Sequence, residues 1–294
     1  MSESTHKAGF VSIVGKPNAG KSTLMNQLVG DKLSIITSKA QTTRNRIKGI
    51  INDENYQIVY SDTPGIMDPS YEMHKSMLRF VYTAFEDADI LLFVVVPGDK
   101  LEEGVIERLK TIKTPVLLII NKKDLFQEDV LAATAKEWEA IVKPFKTIVI
   151  SALKGEGIDG ILDNVLELLP HHPPYFSKDS YTDKSERFFA SEIIREKIFL
   201  HYKKEVPYSS HVEIVEFKEE DKIIRMRAEI HVERRSQRAI IIGKGGEMLK
   251  KVGTEARKDL EDFFQKKVFL ETYVRVSEDW RKSEFKLKNF GFQE

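Results

Sequence analysis

The stretch GKPNAGKST near the start of the chain has the residue types that hold the phosphates of a nucleotide. Glycines turn backbone N–H groups towards phosphate oxygens, a lysine reaches the β- and γ-phosphates, and a serine hydroxyl can bind Mg²⁺. The stretch follows the apolar run FVSIV and opens an amphipathic segment, which predicts the required strand–loop–helix context. The predicted phosphate contacts are Gly15, Lys16, Pro17, Asn18, Ala19, Gly20, Lys21, Ser22 and Thr23, with Lys21 also catalytic and Ser22 a ligand of Mg²⁺.

The motif DTPG ends a second apolar run and suits the γ-phosphate side of the same site. We predict that Asp62 holds Mg²⁺, through water, and that the backbone N–H of Gly65 senses the γ-phosphate and takes part in catalysis. Thr63 and Pro64 complete the motif and are predicted to lie against the nucleotide.

Two further motifs, NKKD and SAL, suit a guanine base. The carboxylate of Asp124 can accept hydrogen bonds from both N1–H and N2–H₂ of guanine, a pair of donors that adenine lacks. Asn121 is predicted to support the loop or the base, and the stem of Lys122 to lie over the ring. One backbone N–H of Ser151, Ala152 or Leu153 is predicted to meet guanine O6. Singly, each motif could be a surface turn, but four in this order predict a guanine-nucleotide site at the carboxyl ends of strands.

The segment TSKAQTTRNR, residues 37–46, contains two threonines that could complete the Mg²⁺ shell when GTP is bound. We favour Thr43 over Thr42 and predict a catalytic role for it. Release of this segment after hydrolysis, together with residues 65–75, would make both segments switches.

A second glycine-rich stretch, GKGG, lies between two predicted helices in the second half of the chain. It is similar to the GxxG loop of KH domains, which clamps the backbone of single-stranded nucleotides. Between residues 225 and 258 there are ten basic and four acidic residues, a net charge of +6, as expected beside a phosphate-bearing partner. Predicted RNA contacts are Arg225, Arg227, Ile242, Gly243, Lys244, Gly245, Gly246 and Lys250, with Ile223, Met226 and the run AIII forming a floor for bases. A plain structural turn is the alternative.

The elements that must position these motifs differ between the two halves of the chain. Up to about residue 169, short apolar runs alternate with amphipathic helical patterns, which predicts an α/β domain with helices on both faces of its sheet. A hairpin turning at 53–55 makes that sheet mixed, although mostly parallel. The second half predicts the order α-β-β-α-α-β of a smaller α+β domain.

The resulting domain boundaries are 8–172 for the nucleotide domain, 173–186 for a linker rich in Pro, Ser and Asp, 187–276 for the second domain and 277–294 for a C-terminal tail. The tail either contacts RNA or caps the second domain through Trp280 and Phe285. His171 and His172, before the linker, are interpreted as linker residues rather than metal ligands.

Composition excludes several classes of protein. The 294 residues contain no cysteine, which excludes disulfides, thiolate metal sites and a cysteine nucleophile. The run ILLFVVV is too short to span a bilayer, and the first ten residues have no signal-peptide core. We therefore expect a cytoplasmic protein.

The motifs GKPNAGKST, QTTR, DTPG, NKKD and SAL, with GKGG behind them, resemble the Era-like branch of the translation-factor-related GTPases. The resemblance implies a P-loop GTPase domain followed by a type II KH domain, with GTP or GDP and Mg²⁺ as ligands. It further implies binding of the 3′ end of 16S rRNA, a role in maturation of the 30S ribosomal subunit, and peripheral association with the inner membrane. We expect a monomer that does not bind DNA.

Ile66 occupies the position after the DxxG glycine where Ras-like proteins have glutamine, and its side chain cannot orient water. The resemblance implies slow intrinsic turnover and a K⁺ ion bound by Asn18, whose charge would assist hydrolysis. Alternatively, Asn18 only shapes the loop.

Two other functions remain open at this point. The chain could be an RNA-binding protein whose nucleotide is structural, or a membrane-surface regulator whose basic residues bind anionic lipid.

Overall fold

A computed structural model describes residues 6–101 and 103–292. These residues divide into two compact units, one of residues up to 34 with 43–68 and 77–183, the other of 35–42, 69–76 and 184 onward. Residues 37–42 and 69–75 of the predicted switch segments thus belong to the second unit, a grouping that boundaries drawn along the sequence do not contain.

The first unit is an α/β domain, as predicted. Its elements are β1 (Lys7–Gly15), α1 (Lys21–Val29), β2 (Ile47–Asn52), β3 (Tyr56–Asp62), α2 (Glu72–Glu86, whose first turn belongs to the second unit), β4 (Ile90–Val95), α3 (Glu103–Thr111), β5 (Val116–Ile120), α4 (Glu128–Val142), β6 (Lys146–Val149) and α5 (Asp159–Leu168).

The strands of this unit form one sheet in the order β2-β3-β1-β4-β5-β6, in which only the β2–β3 pair is antiparallel. Every residue of β4 and β5 is buried, which requires cover on both faces of the sheet. Because β1, β3, β5 and β6 are parallel, the four nucleotide motifs all follow the same edge of the sheet.

The stretch predicted as a linker is hydrogen-bonded to the first unit over much of its length. The buried Gln57 accepts from the N–H groups of Tyr175 and Phe176 at 2.7 and 2.9 Å. Further on, Thr182 bridges to Gly49 on the edge strand β2. A Pro-rich segment without periodicity can therefore be ordered by backbone bonds that no local pattern reveals.

The second unit contains the predicted α-β-β-α-α-β order with two short helices added. Its elements are α6 (Glu186–His201), α7 (Val206–Ser209), β7 (His211–Glu219), β8 (Ile223–Val232), α8 (Arg235–Ile242), α9 (Glu247–Phe264), β9 (Lys267–Val276) and α10 (Glu284–Asn289). Its sheet has the order β7-β8-β9, with β8 and β9 parallel. One face of this sheet packs on α6, α8 and α9 through a core that includes Ile198, Ile241 and Leu260.

Candidate nucleotide and nucleic-acid sites

Three side chains predicted to bind Mg²⁺ lie together at the end of β3. Ser22 Oγ donates to Asp62 Oδ2 at 2.7 Å and lies 2.8 Å from Thr43 Oγ1, which is 3.4 Å from the same carboxylate oxygen. Thr42 points elsewhere, since its hydroxyl donates to the carbonyl of Lys39. The hydroxyl of Thr43, and not that of Thr42, therefore lies beside Ser22 and Asp62.

Asp62 has the surroundings expected of a carboxylate that binds a cation. It is fully buried, and burial raises its pKa, against the opposing effects of Lys21 and of hydrogen bonds from Ser22 and Thr43. Its Oδ1 atom is buried without a hydrogen-bond partner among the described residues. An unpaired buried acceptor beside two hydroxyls fits Mg²⁺, which prefers oxygen ligands.

Lys21, at the start of α1, holds a positive charge inside the protein. Burial lowers its pKa to about 8, although Asp62 and Asp99 act in the opposite direction. Its Nζ donates to the carbonyl of Lys16 at 2.8 Å, so the ammonium is held against the phosphate loop. A phosphate group would supply the negative charge that makes this buried ammonium favourable.

Glycines let the loops approach one another closely. A Cβ on Gly65 would lie 2.5 Å from the backbone nitrogen of Pro17, and Ile66 N donates to Gly15 O at 3.0 Å. The DTPG turn is therefore tied to the phosphate loop. Thr63 contributes to the scaffold, because its hydroxyl donates to the carbonyl of Ile13 at 2.8 Å in the buried sheet.

Asn121 connects three of the predicted motifs. Its Nδ2 donates to Ala19 O at 2.8 Å, and its Oδ1 accepts from Lys122 N at 2.7 Å and from Ala152 N at 3.0 Å. The role left open for Asn121 is therefore, in this structure, support of the loops. The N–H of Ala152 is used in that support.

The carboxylate of Asp124, which is predicted to recognise the base, is held by a hydrogen bond from Ser151. Ser151, fully buried, donates its hydroxyl to Asp124 Oδ1 at 2.6 Å, while Asp124 itself is exposed. Lys122 has a positive φ of 66°, and Leu153 is 70% exposed. An exposed, oriented carboxylate flanked by these side chains can receive a flat base that has two adjacent donors.

The remaining residues predicted to contact the nucleotide lie at the end of β1, on the phosphate loop, in the first turn of α1 and in the DTPG turn. Asn18 is exposed with φ 63°, Ala19 is buried, and Lys16, Pro17, Gly20 and Thr23 are half-buried, whereas Gly15 and Pro64 are buried. Ile66 is 6% exposed and packs in a core with Val14 and Phe93. Its side chain is thus taken up by the core of the first unit.

Asp99 is a charged residue near the site that sequence reasoning missed. Its carboxylate accepts from Val96 N at 2.9 Å, just beyond β4, and burial raises its pKa against the effects of Lys16, Lys122 and Lys21. The available signal was its position after an apolar strand whose carboxyl end shares the edge with the other motifs.

The GKGG loop has the geometry predicted for it, between the end of α8 and the start of α9. Gly243, Gly245 and Gly246 have φ of 74°, 61° and 81°. A Cβ would meet nothing within 4 Å at Gly245 or Gly246, whereas at Gly243 it would press on Met248. Lys244, Gly245 and Lys250 are exposed and Ile242 is half-buried. The loop therefore presents backbone that no side chain covers at Gly245 and Gly246, with the exposed lysine side chains of Lys244 and Lys250 nearby.

The structure does not bring Arg225 and Arg227 to this loop. Ile224, Met226 and Ala228 pack in the core beneath the helices, so the alternating arginines project from the opposite face of the sheet. There Arg225 pairs with Glu220 at 3.3 Å, and Arg227 with Glu216 at 3.0 Å.

The prediction that Met226 and the run AIII form a surface on which bases lie is also corrected by burial. Met226 is 2% exposed and Ile241 is fully buried, so neither offers a surface, whereas Ile240 is 49% exposed. Helical and strand periodicity predicted the apolar positions of β8 and α8, but it did not predict which of these side chains are buried in the core.

The tail caps the second unit, one of the two alternatives, but only one of the two named residues does so. Trp280 is fully buried and its Nε1 donates to Ser209 O at 2.9 Å. Phe285 is 75% exposed, and Leu287 and Phe292 are buried in its place.

Among residues 6–101 and 103–292, no group of three or more histidine, aspartate or glutamate side chains could hold a metal ion. His172 stacks on Tyr175 with ring centroids 4.1 Å apart. No helix in the described part of the chain has the length and apolar character needed to cross a membrane.

Each half of the chain matches the model of a known protein family. A family model of 50S ribosome-binding GTPases matches residues 10–122, and a KH domain model matches residues 205–281.

Full-length relatives give closer matches. GTPase Era of Syntrophus aciditrophicus is 48% identical over 98% of this chain and 96% of its own. GTPase Era of Geotalea uraniireducens is 45% identical over 100% of both chains.

Two solved structures have the same fold throughout. A point variant of Aquifex aeolicus Era bound to GDP.AlF4⁻ is 37% identical with a TM-score of 0.92, covering 98% of this chain and 100% of its own. Era in complex with MgGDPNP and nucleotides 1506–1542 of 16S ribosomal RNA is 38% identical with a TM-score of 0.92, with the same coverage.

Proposed function

The chain belongs to the Era family of GTPases, and on that premise we propose that it couples GTP hydrolysis to binding of the 3′ end of 16S rRNA. The observation that carries the nucleotide half is the meeting of Ser22, Thr43 and Asp62, with Asp62 Oδ1 left as a buried acceptor. The RNA half is supported by the open GKGG backbone and by the Era structure that contains 16S rRNA.

Hydrolysis is the attack of water on the γ-phosphate of GTP. Lys21 binds the β- and γ-phosphates, the N–H of Gly65 donates to the γ-phosphate, and Asp124 selects guanine. Ser22, Thr43 and Asp62 would hold Mg²⁺, which supplies charge that offsets the negative charge developing on the phosphate oxygens. The buried Ile66 leaves the orientation of water to other groups.

A K⁺ ion at Asn18 is part of the proposal. Asn18 is exposed on the phosphate loop with a positive φ, so its side chain is accessible to an ion beside the phosphates. GTP turnover should be faster in KCl than in NaCl at equal ionic strength. Equal rates in the two salts would remove K⁺ from the mechanism.

The test of the main proposal is binding of a short single-stranded RNA from the 3′ end of 16S rRNA. The RNA is titrated with protein containing a non-hydrolysable GTP analogue, GDP or no nucleotide, at fixed salt because such affinities depend on salt. Different affinities in the three states support a nucleotide-gated switch. Equal affinities in the three states would favour the alternative in which the nucleotide has only a structural role. Absence of binding would contradict the proposal that the partner is the 3′ end of 16S rRNA.

The loop itself is tested by Gly245→Asp, with Gly245→Asn as its control. Both side chains enter open space and both residue types tolerate a positive φ, so the pair differs mainly in charge. The aspartate should weaken RNA binding far more than the asparagine does, because it repels phosphate. Equal losses would mean that bulk rather than charge closes the loop.

The proposal has two further parts. The protein acts in maturation of the 30S subunit. It is largely cytoplasmic and associates peripherally with the inner membrane. Exposed arginines at positions 234, 235 and 238 on and beside α8 supply a surface for phosphate-bearing partners. Co-sedimentation with 30S particles and with anionic vesicles would test these two partners separately. A loss of vesicle binding that parallels the loss of RNA binding in Gly245→Asp would assign both to one surface.

A further inference from the structure

The segment of residues 35–42 is held by helix α6 within the second unit. Lys39 Nζ donates to the carbonyls of Phe199 and Tyr202, at the C-terminal end of α6. Arg195, near the middle of α6, donates from Nη2 to the carbonyl of Thr42 at 2.6 Å. The ammonium group of the segment and the guanidinium group of α6 thus join the two at two points.

Arg195 is itself fixed in place. It is 2% exposed, its Nε donates to Glu192 Oε1 at 2.7 Å, and its Nη2 also contacts the second oxygen of Glu192. The guanidinium lies 5.3 Å from the ring centroid of Phe199. A planar group held on a rigid helix by a carboxylate and a ring has little freedom, so the carbonyl that it binds is held as well.

The held carbonyl is one peptide bond from the magnesium site. Thr42 precedes Thr43, whose hydroxyl lies 2.8 Å from Ser22 Oγ and 3.4 Å from Asp62 Oδ2. The side chain of Thr42 adds to the restraint, because its hydroxyl donates to Lys39 O at 2.8 Å and lies 2.7 Å from Thr37 Oγ1. Fixing the Thr42 carbonyl therefore restricts where the Thr43 hydroxyl can go.

We propose that Arg195 and Lys39 are positioning residues that hold Thr43 at the magnesium site and so favour GTP over GDP. This inference rests on the proposed function and on the expectation from the sequence that Thr43 completes the Mg²⁺ shell when GTP is bound. Neither residue touches the nucleotide, and both act through Thr43.

The test compares the affinities of the full-length protein for a non-hydrolysable GTP analogue and for GDP, at fixed Mg²⁺. Arg195→Gln and Lys39→Met should each weaken binding of the analogue by about tenfold, the order expected for one lost charge-assisted hydrogen bond. GDP affinity should change by less than about twofold, because GDP does not engage Thr43. The Mg²⁺ concentration needed for half-maximal binding of the analogue should rise in both variants.

Lys204→Met is the matched control for Lys39→Met. It removes the same charge from an exposed position just after α6, and it should leave the preference for the analogue unchanged. Lys39→Met, in a half-buried segment, also guards against the case in which Arg195→Gln fails to fold.

A double-mutant cycle with Thr43→Val separates positioning from general stability. If Arg195 acts through Thr43, then Arg195→Gln should cost no further analogue affinity in the Thr43→Val background. Additive losses, or parallel losses of GDP and analogue affinity, would overturn the inference. A wild-type protein that binds neither nucleotide would instead overturn the proposed function.

Discussion

Asn121 shows how one side chain can organise a site without touching the reacting atoms. Its amide joins the phosphate loop, NKKD and SAL through bonds of 2.7 to 3.0 Å. The side chain is 2% exposed, so each bond that it makes replaces one to water. The proposed specificity for guanine depends instead on Asp124, which the hydroxyl of Ser151 holds at the surface.

Replacement of Asp124 by asparagine should change the preferred base. The amide keeps one acceptor but presents a donor to the guanine N2–H₂ group, so GDP affinity should fall by about 100-fold, roughly the loss of one charge-assisted pair. Xanthosine diphosphate, which has a carbonyl at that position, should bind the variant better than GDP does. Titration calorimetry with both nucleotides tests this, and equal losses for the two would contradict base recognition by residue 124.

Because Lys21 is buried, we expect the free energy of unfolding of the nucleotide-free protein to depend on pH. Its pKa is about 8 when folded and 10.5 when unfolded, so between these values the unfolded chain binds more protons. The free energy of unfolding must therefore rise with pH in this window, as the cost of the buried charge disappears. Relative to Lys21→Met, wild-type stability should increase by about 2 kcal/mol between about pH 7.5 and about pH 10.

Urea unfolding of the wild type and of Lys21→Met at both pH values measures this difference. The contributions of the other titrating groups are the same in the two proteins and cancel. A constant difference would mean that Lys21 is solvated in the absence of nucleotide. Bound GDP should abolish the effect, because phosphate favours the charged lysine.

Helix α1 lies between two glycines that serve different purposes. Gly20 at its start has φ 97°, and a Cβ there would overlap with the amide of Asn121. Gly30 at its end has φ 77° with nothing within 4 Å. The first is required by a close approach and the second only by the backbone angle.

Gly30→Ala should therefore cost about 1 to 2 kcal/mol of stability, through the positive φ alone, and leave GDP affinity unchanged. Gly20→Ala should cost more and should weaken GDP binding at least tenfold, because Asn121 is displaced. Denaturant unfolding and GDP titration of both variants give the comparison. Equal GDP affinities would show that the three loops do not depend on this contact.

The whole chain folds as two units whose cores can be disturbed separately. Trp280 is fully buried in the second unit, where its indole is hydrogen-bonded to Ser209 O and its ring lies 5.6 Å from that of Phe290 and 6.0 Å from that of Phe292. The nucleotide side chains Lys21, Asp62 and Asn121 belong to the first unit.

Trp280→Ala should lower the stability of the second unit by about 3 to 5 kcal/mol and abolish RNA binding, as expected for a lost core aromatic. GDP should still bind. Phe285→Ala, in the same tail but exposed, should change stability by less than about 0.5 kcal/mol. Circular dichroism melts and GDP binding of both variants test this, and loss of GDP binding in Trp280→Ala would contradict separate cores.

The sequence by itself determined the features that local chemistry specifies. Glycine loops, turn motifs and strand periodicity act within a few residues, so the nucleotide motifs, the alternation of strands and helices and the GKGG turn were all readable along the chain. The tertiary structure decided what depends on partners far apart in sequence. Burial removed Met226 from the surface and placed Ile66 in the core, and strand alternation took Arg225 and Arg227 away from the GKGG loop. It also brought Arg195 to the carbonyl of Thr42, 153 residues earlier in the chain, because only packing brings such distant groups together.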